Sequence, residues 1–184
     1  ILDSAAAGNI PSGEIALVVT DNASAFALER AQRAGVGTVV VDKKQYPDRS
    51  EREKRILAAL EKHKIGLVVL AGFMTILSEA FTKKYDMRMI NVHPSLIPSF
   101  CGPGFYGLKV HEAALARGVK VTGATVHYVN EVCDGGPIIA QKAVCVEEGD
   151  TPEILQKRVM REAEWIILPR AVETVCKTLS EREN

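Results

Sequence analysis

Short apolar runs alternate with amphipathic stretches along the whole of this 184-residue chain, and that alternation constrains the fold more than any other feature. It is the pattern of an α/β domain. Residues 14–19 predict a buried strand, residues 23–34 a helix closed by Gly35, and residues 38–41 a second strand. Ser50 with Glu53 three residues on has capping-box spacing, which predicts a helix from Ser50 to about His63. Residues 65–71 are the most apolar run, rich enough for a strand at the sheet centre with both faces covered. A short helix over 78–85 and a strand over 87–92 follow. Residues 121–129 and 137–146 form long strand-like runs around a turn-rich segment, so antiparallel pairing is expected there. Thr151-Pro152 opens a final helix with proline at a favoured first-turn position. Ile154, Leu155, Val159, Ala163, Ile166, Ile167, Ala171 and Val175 give that helix one apolar stripe. The expected architecture is a mostly parallel central sheet with helices on both faces and a mixed, antiparallel C-terminal part.

No internal repeat or linker interrupts the pattern, and the length suits a single domain over residues 1–184. Apolar residues at 47% and charged residues at 25% exclude a disordered chain. The 23 basic side chains are matched by 23 acidic ones, which argues against a nucleic-acid binder held by phosphate neutralisation. No apolar run approaches the roughly 20 residues needed to span a bilayer. The opening Ile1-Leu2-Asp3 lacks a basic segment before a long apolar one, so no secretory leader is expected. Cys101, Cys133, Cys145 and Cys176 are widely spaced without a CxxC pair. That spacing points away from zinc and redox dithiols and toward a reduced, cytoplasmic setting. A homodimer is compatible with helices of this kind.

The chemistry-bearing stretch is Asn91-Val92-His93-Pro94-Ser95-Leu96-Ile97-Pro98. Side chains alternate along a strand, so Asn91 and His93 would share a face while Val92 points to the core. They fall at the carboxyl end of a predicted strand, where open α/β sheets place ligands. Pro94 holds His93 extended, and Pro98 keeps the following run non-helical. A second segment, Asp134-Gly135-Gly136-Pro137, puts one carboxylate in a tight glycine turn that lets backbone approach a ligand. A carboxylate facing the imidazole would favour its charged form. Asparagine beside such a histidine suits a reaction that builds an oxyanion and delivers a proton. By themselves these residues reach an α/β enzyme with an Asn/His/Asp site and no substrate. A strand histidine and a DGG hairpin are each also met as purely structural features.

Four runs in order carry a resemblance over essentially the whole chain: residues 71–77, 91–98, 123–129 and 134–139. Together they resemble the glycinamide ribonucleotide formyltransferases, which have a Rossmann-like formyltransferase fold. The resemblance implies formyl transfer from 10-formyltetrahydrofolate, a co-substrate, to the amine of glycinamide ribonucleotide in purine biosynthesis, with no metal. It implies that Asn91 contacts the formyl oxygen and folate, that His93 is the acid/base, and that Asp134 raises the histidine pKa. Met74, Thr75, Ile76 and Leu77 match the segment that contacts the pterin, largely through backbone groups. Arg49 aligns with a folate-contacting arginine, and Glu164 with a glutamate that binds the ribose hydroxyls. Thr125 and His127 are similar to residues lining the site.

Two departures stand out. The family's first strand and its glycine-rich phosphate loop have no counterpart here, since the chain opens on what resembles the helix after that loop. The expectation is that the natural protein has both. Thr75 stands where an arginine is frequent. Within the superfamily, formyltetrahydrofolate hydrolase is the nearest alternative, and Pro94, where that enzyme tends to have a second histidine, favours the transferase. Methionyl-tRNA formyltransferase would need a basic surface and a tRNA-binding domain. A non-catalytic folate- or nucleotide-binding protein would not require His93 and Asp134.

Overall fold

The computed structural model describes residues 1–183, and the expected α/β architecture is present. After a short helix α1 (Leu2–Ala6), strand β1 (Leu17–Thr20), helix α2 (Phe26–Arg33) and strand β2 (Gly37–Val40) form one parallel βαβ unit. Helix α2 ends where Gly35 takes a left-handed φ of 69°, as the sequence signal implied. Helix α3 (Arg49–Lys62) leads to β3 (Val68–Leu70), and α4 (Glu79–Lys84) to β4 (Met89–His93). Helix α5 (Leu108–Arg117), strands β5 (Val121–Tyr128) and β6 (Ile138–Cys145), and helix α6 (Pro152–Val159) follow. A π-helical turn (Met160–Glu164) then joins α6 to α7 (Trp165–Glu183). Among the described residues, no helix is long and apolar enough to cross a membrane.

The sheet is divided. β1 and β2 stand apart from a four-stranded sheet of order β3-β4-β5-β6, in which β3–β4 is parallel and the remaining pairs are antiparallel. Among the described residues β3 borders the four-stranded sheet. It faces β1 across an apolar cleft of about 750 Å³, and its residues are only partly buried. The main core lies on the other side, where Ile90, Val126 and Val144 of the sheet pack on Leu155, Val159 and Ile167. A second cluster gathers Leu60, Phe81 and Met89 between α3, α4 and β4.

The start of α3 differs from its expected cap. Asp48, not Ser50, is the N-cap, its carboxylate accepting from the Glu51 amide at 2.7 Å. Glu53 is thereby freed for a longer-range task. It accepts from the Ser78 amide at 2.8 Å, from the Ser78 hydroxyl, and from Arg49 Nε at 3.0 Å. Burial opposes ionisation of Glu53, but the Ser78 and Arg49 hydrogen bonds outweigh it and hold its pKa below the ordinary value. This carboxylate pins the end of the 71–78 segment to α3.

The turn between β5 and β6 is set by close approach. A Cβ at Gly136 would stand 1.8 Å from the Tyr128 carbonyl oxygen, an atom fixed in the β5 backbone. Gly136→Ala is expected to destabilise the fold by about 3 kcal/mol, read as a lowered denaturation midpoint with unchanged slope. A midpoint equal to that of the unsubstituted chain would show that the turn can open.

Candidate active site

Strand β4 carries the predicted pair on one face. Antiparallel pairing sets Asn91 opposite His127 and His93 opposite Thr125, so four polar side chains of β4 and β5 meet at the carboxyl end of β4. His93 is 4% and His127 2% exposed. The Asp134 turn closes over them. Asp134 adopts φ 55°, in the left-handed region that aspartate tolerates better than most residues. Its Oδ2 lies 3.5 Å from His93 Nδ1 and its Oδ1 lies 3.6 Å from His127 Nε2. One carboxylate thus faces two imidazoles.

Each member is held by backbone as well. His93 Nε2–H donates to the Phe100 carbonyl at 2.8 Å, and the Gly102 amide donates to Asp134 Oδ2 at 2.8 Å. His127 Nδ1–H donates to the Tyr128 carbonyl at 2.8 Å, while its Nε2 contacts the Asn91 amide nitrogen at 3.3 Å. Burial works against a charged Asp134. The His127 ring, the Gly102 amide and the attraction of His93 and His127 prevail, so its pKa falls below the ordinary value. Thr125 donates to the Ser95 carbonyl at 2.7 Å and receives the Ile97 amide at 3.1 Å and the Gln141 amide at 2.9 Å. That set fixes the loop leaving β4.

A cavity of about 470 Å³ opens over these residues. Met74, Thr75, Ile76 and Leu77 line it, and Met74 and Ile76 are largely exposed. Glu164, last residue of the π-helical turn, lines it too. Arg49 lies instead in the adjoining 750 Å³ cleft, which shares Thr75 and Leu77 with this cavity. Three contributors escape the sequence reading. The Phe100 carbonyl and Gly102 amide act through backbone, which leaves no signature in side-chain identity. His111 lies on α5, a helix to which the sequence reading assigns no element, although its left-handed Gly118 C-cap is a usable stop signal.

Glu164 is the most perturbed carboxylate here. Burial pushes its pKa from 4.5 up to about 7, and no hydrogen bond or ion pair among the described residues offsets it. Below the ordinary value it is neutral in both folded and unfolded chains. As pH rises toward 7 the unfolded chain ionises first, so stability falls through that window. Glu164→Gln should therefore raise thermal stability at about pH 8 by on the order of 2 kcal/mol and leave it unchanged at about pH 4. An equal gain at both pH values would assign the effect to packing.

The chain is similar to known proteins. The family profile described as formyl transferase matches residues 1–172. The chain is 46% identical over 162 residues to the trifunctional purine biosynthetic protein adenosine-3 of Gallus gallus, covering 88% of this chain and 16% of that one. It is 38% identical to the phosphoribosylglycinamide formyltransferase of Bacillus subtilis, covering 82% of this chain and 75% of that one. Glycinamide ribonucleotide transformylase 1 from Symbiobacterium toebii superposes with TM-score 0.88 at 40% identity, covering 97% of this chain and 81% of that structure.

Proposed function

The chain belongs to the formyl transferase family, and we propose that it transfers the formyl group of 10-formyltetrahydrofolate to the amine of glycinamide ribonucleotide. One observation carries the reading: the Asn91 amide and the His93 imidazole share one face of β4, with the Asp134 carboxylate against the imidazole. Formyl transfer to an amine needs that equipment. Negative charge builds on the formyl oxygen, and a proton must reach the departing nitrogen.

In this reading Asn91 donates to the developing oxyanion, and preorganised donors of this kind stabilise charge without rearrangement. His93 delivers the proton, with Asp134 orienting its ring through Nδ1. The Nε2–H that donates to Phe100 must be exchanged for a ligand contact before it can be used.

The cavity suits the co-substrate chemically. Its mouth offers apolar side chains at Met74, Ile76 and Val132 for a flat ring system, with the backbone of Thr75 and Leu77 available for polar edges. When bound, 10-formyltetrahydrofolate supplies an activated one-carbon unit. Met74, Thr75, Ile76 and Leu77 would hold its ring end, and Arg49 would reach it from the adjoining cleft. Glu164 would accept from the ribose hydroxyls of the acceptor substrate.

The test is a formyl-transfer assay with 10-formyltetrahydrofolate, with and without glycinamide ribonucleotide. Tetrahydrofolate release that depends on the ribonucleotide is the expected result. Release without it would make the protein a hydrolase, and no release would leave a binding protein.

A further inference from the structure

His111 sits on the inner side of α5 with none of its surface accessible, next to Val110 and one turn from Ala114, both fully buried. Neither ring nitrogen has a hydrogen-bond partner among the described residues. A neutral imidazole carries one donor and one acceptor, and leaving them unpaired in a dry interior is unfavourable. For packing alone, an apolar side chain of the same volume would serve better. Yet His111 is one of the residues that line the 470 Å³ cavity, in company with His93, Gln156 and Glu164. Burial, aided by the nearby charge of His93, pulls its pKa down to about 4. At neutral pH it therefore offers a donor and an acceptor, not a charge.

The walls of the cavity differ in character. Met74, Ile76 and Val132 make an exposed apolar rim, whereas α5 packs against α6, and His111, Gln156 and Glu164 from that part of the fold also line the cavity. The polar wall matches a ligand rich in hydroxyl and amide groups, and the apolar rim matches a ring system. We infer that His111 is a binding residue for the acceptor substrate, its unpaired ring nitrogens taking a hydroxyl or amide group of glycinamide ribonucleotide beside Glu164. This assignment rests on the transferase reading above.

Isothermal titration of the full chain tests it, with glycinamide ribonucleotide and tetrahydrofolate as separate probes. Failure of the unsubstituted chain to bind the ribonucleotide would overturn the transferase reading and this assignment with it. Given that binding, His111→Phe should weaken ribonucleotide affinity roughly 10-fold, the scale of one lost hydrogen bond, and change tetrahydrofolate affinity less than about twofold. Its ligand-free unfolding midpoint should equal or exceed that of the unsubstituted chain, because two unpaired polar atoms are gone. His111→Gln keeps a donor and an acceptor and should recover most of the affinity. Unchanged ribonucleotide binding in His111→Phe, or loss confined to tetrahydrofolate, would overturn the assignment. Should the phenylalanine variant not fold, ring-nitrogen NMR of the unsubstituted chain decides the matter. The His111 resonances should move on adding ribonucleotide and stay in place with tetrahydrofolate alone, and the reverse pattern would refute the inference.

Discussion

Replacing His93 with alanine should cut formyl-transfer turnover by roughly 10²–10⁴-fold, the range for a positioned general acid or base. The expectation follows from the placement of the ring. His93 is almost fully buried, its Nδ1 is 3.5 Å from Asp134, and its Nε2–H is already held by the Phe100 carbonyl at 2.8 Å. Its orientation is fixed by two oxygen atoms on opposite sides of the ring, so the one rearrangement that must precede proton transfer is exchange of the Phe100 hydrogen bond for a ligand contact. Alanine removes the imidazole and leaves Asp134 with Gly102 and His127 for company. The loss should fall on kcat, with KM for both substrates changed by less than about threefold. Single-turnover rates, with thermal unfolding as a control, would check this. A variant with undiminished kcat would take His93 out of the chemistry and leave water as the proton donor.

Asn91→Ala should lower kcat by on the order of 10²–10³-fold, as expected for loss of one oxyanion donor. The amide is not free to wander, because His127 Nε2 holds it at 3.3 Å and the Tyr128 carbonyl holds His127 in turn. Preorganisation of that kind makes a hydrogen bond worth more to a transition state than to a ground state. Asn91→Asp provides the sharper comparison. It keeps the shape but turns the donor into a carboxylate, and should be at least as impaired as alanine. A variant retaining more than about a tenth of the rate would give Asn91 a structural part only.

Much of this molecule can be read from side-chain pattern. The β5–β6 antiparallel pair, the Thr151 cap with Pro152 behind it, and the common face of Asn91 and His93 all follow from period-two alternation and capping chemistry. Such rules act within one element, and one element suffices to see them. Features that depend on a neighbour are different. β3 has the composition of a central strand, but what lies beside it is decided by other parts of the chain. Ser50 and Glu53 have capping-box spacing, yet Asp48 is better placed to cap and Ser78, distant in sequence, claims Glu53. The final helix reads as one stripe because a π-helical turn shifts the register without changing the apolar pattern. At the site, the side chains were visible as residue types. The carbonyl of Phe100 and the amide of Gly102 were not, because every residue has them.

The uneven burial of the strands has a kinetic consequence: β1 is only partly buried and β2 largely exposed, whereas β5 is buried over most of its length. Asn91 and His93 belong to β4 and His127 to β5, and Asp134 lies in the turn joining β5 to β6, all within the unit that includes β3. The β1–β2 ladder shares no backbone hydrogen bond with that unit among the described residues. Local opening of residues 17–20 and 37–40 exposes little further surface, and Asn91, His93, His127 and Asp134 all lie outside those strands. Amide protons of β1 and β2 should exchange with solvent deuterium earlier than those of β5, in a separate cooperative step. The geometry of the candidate site should survive as long as the slower class remains protected.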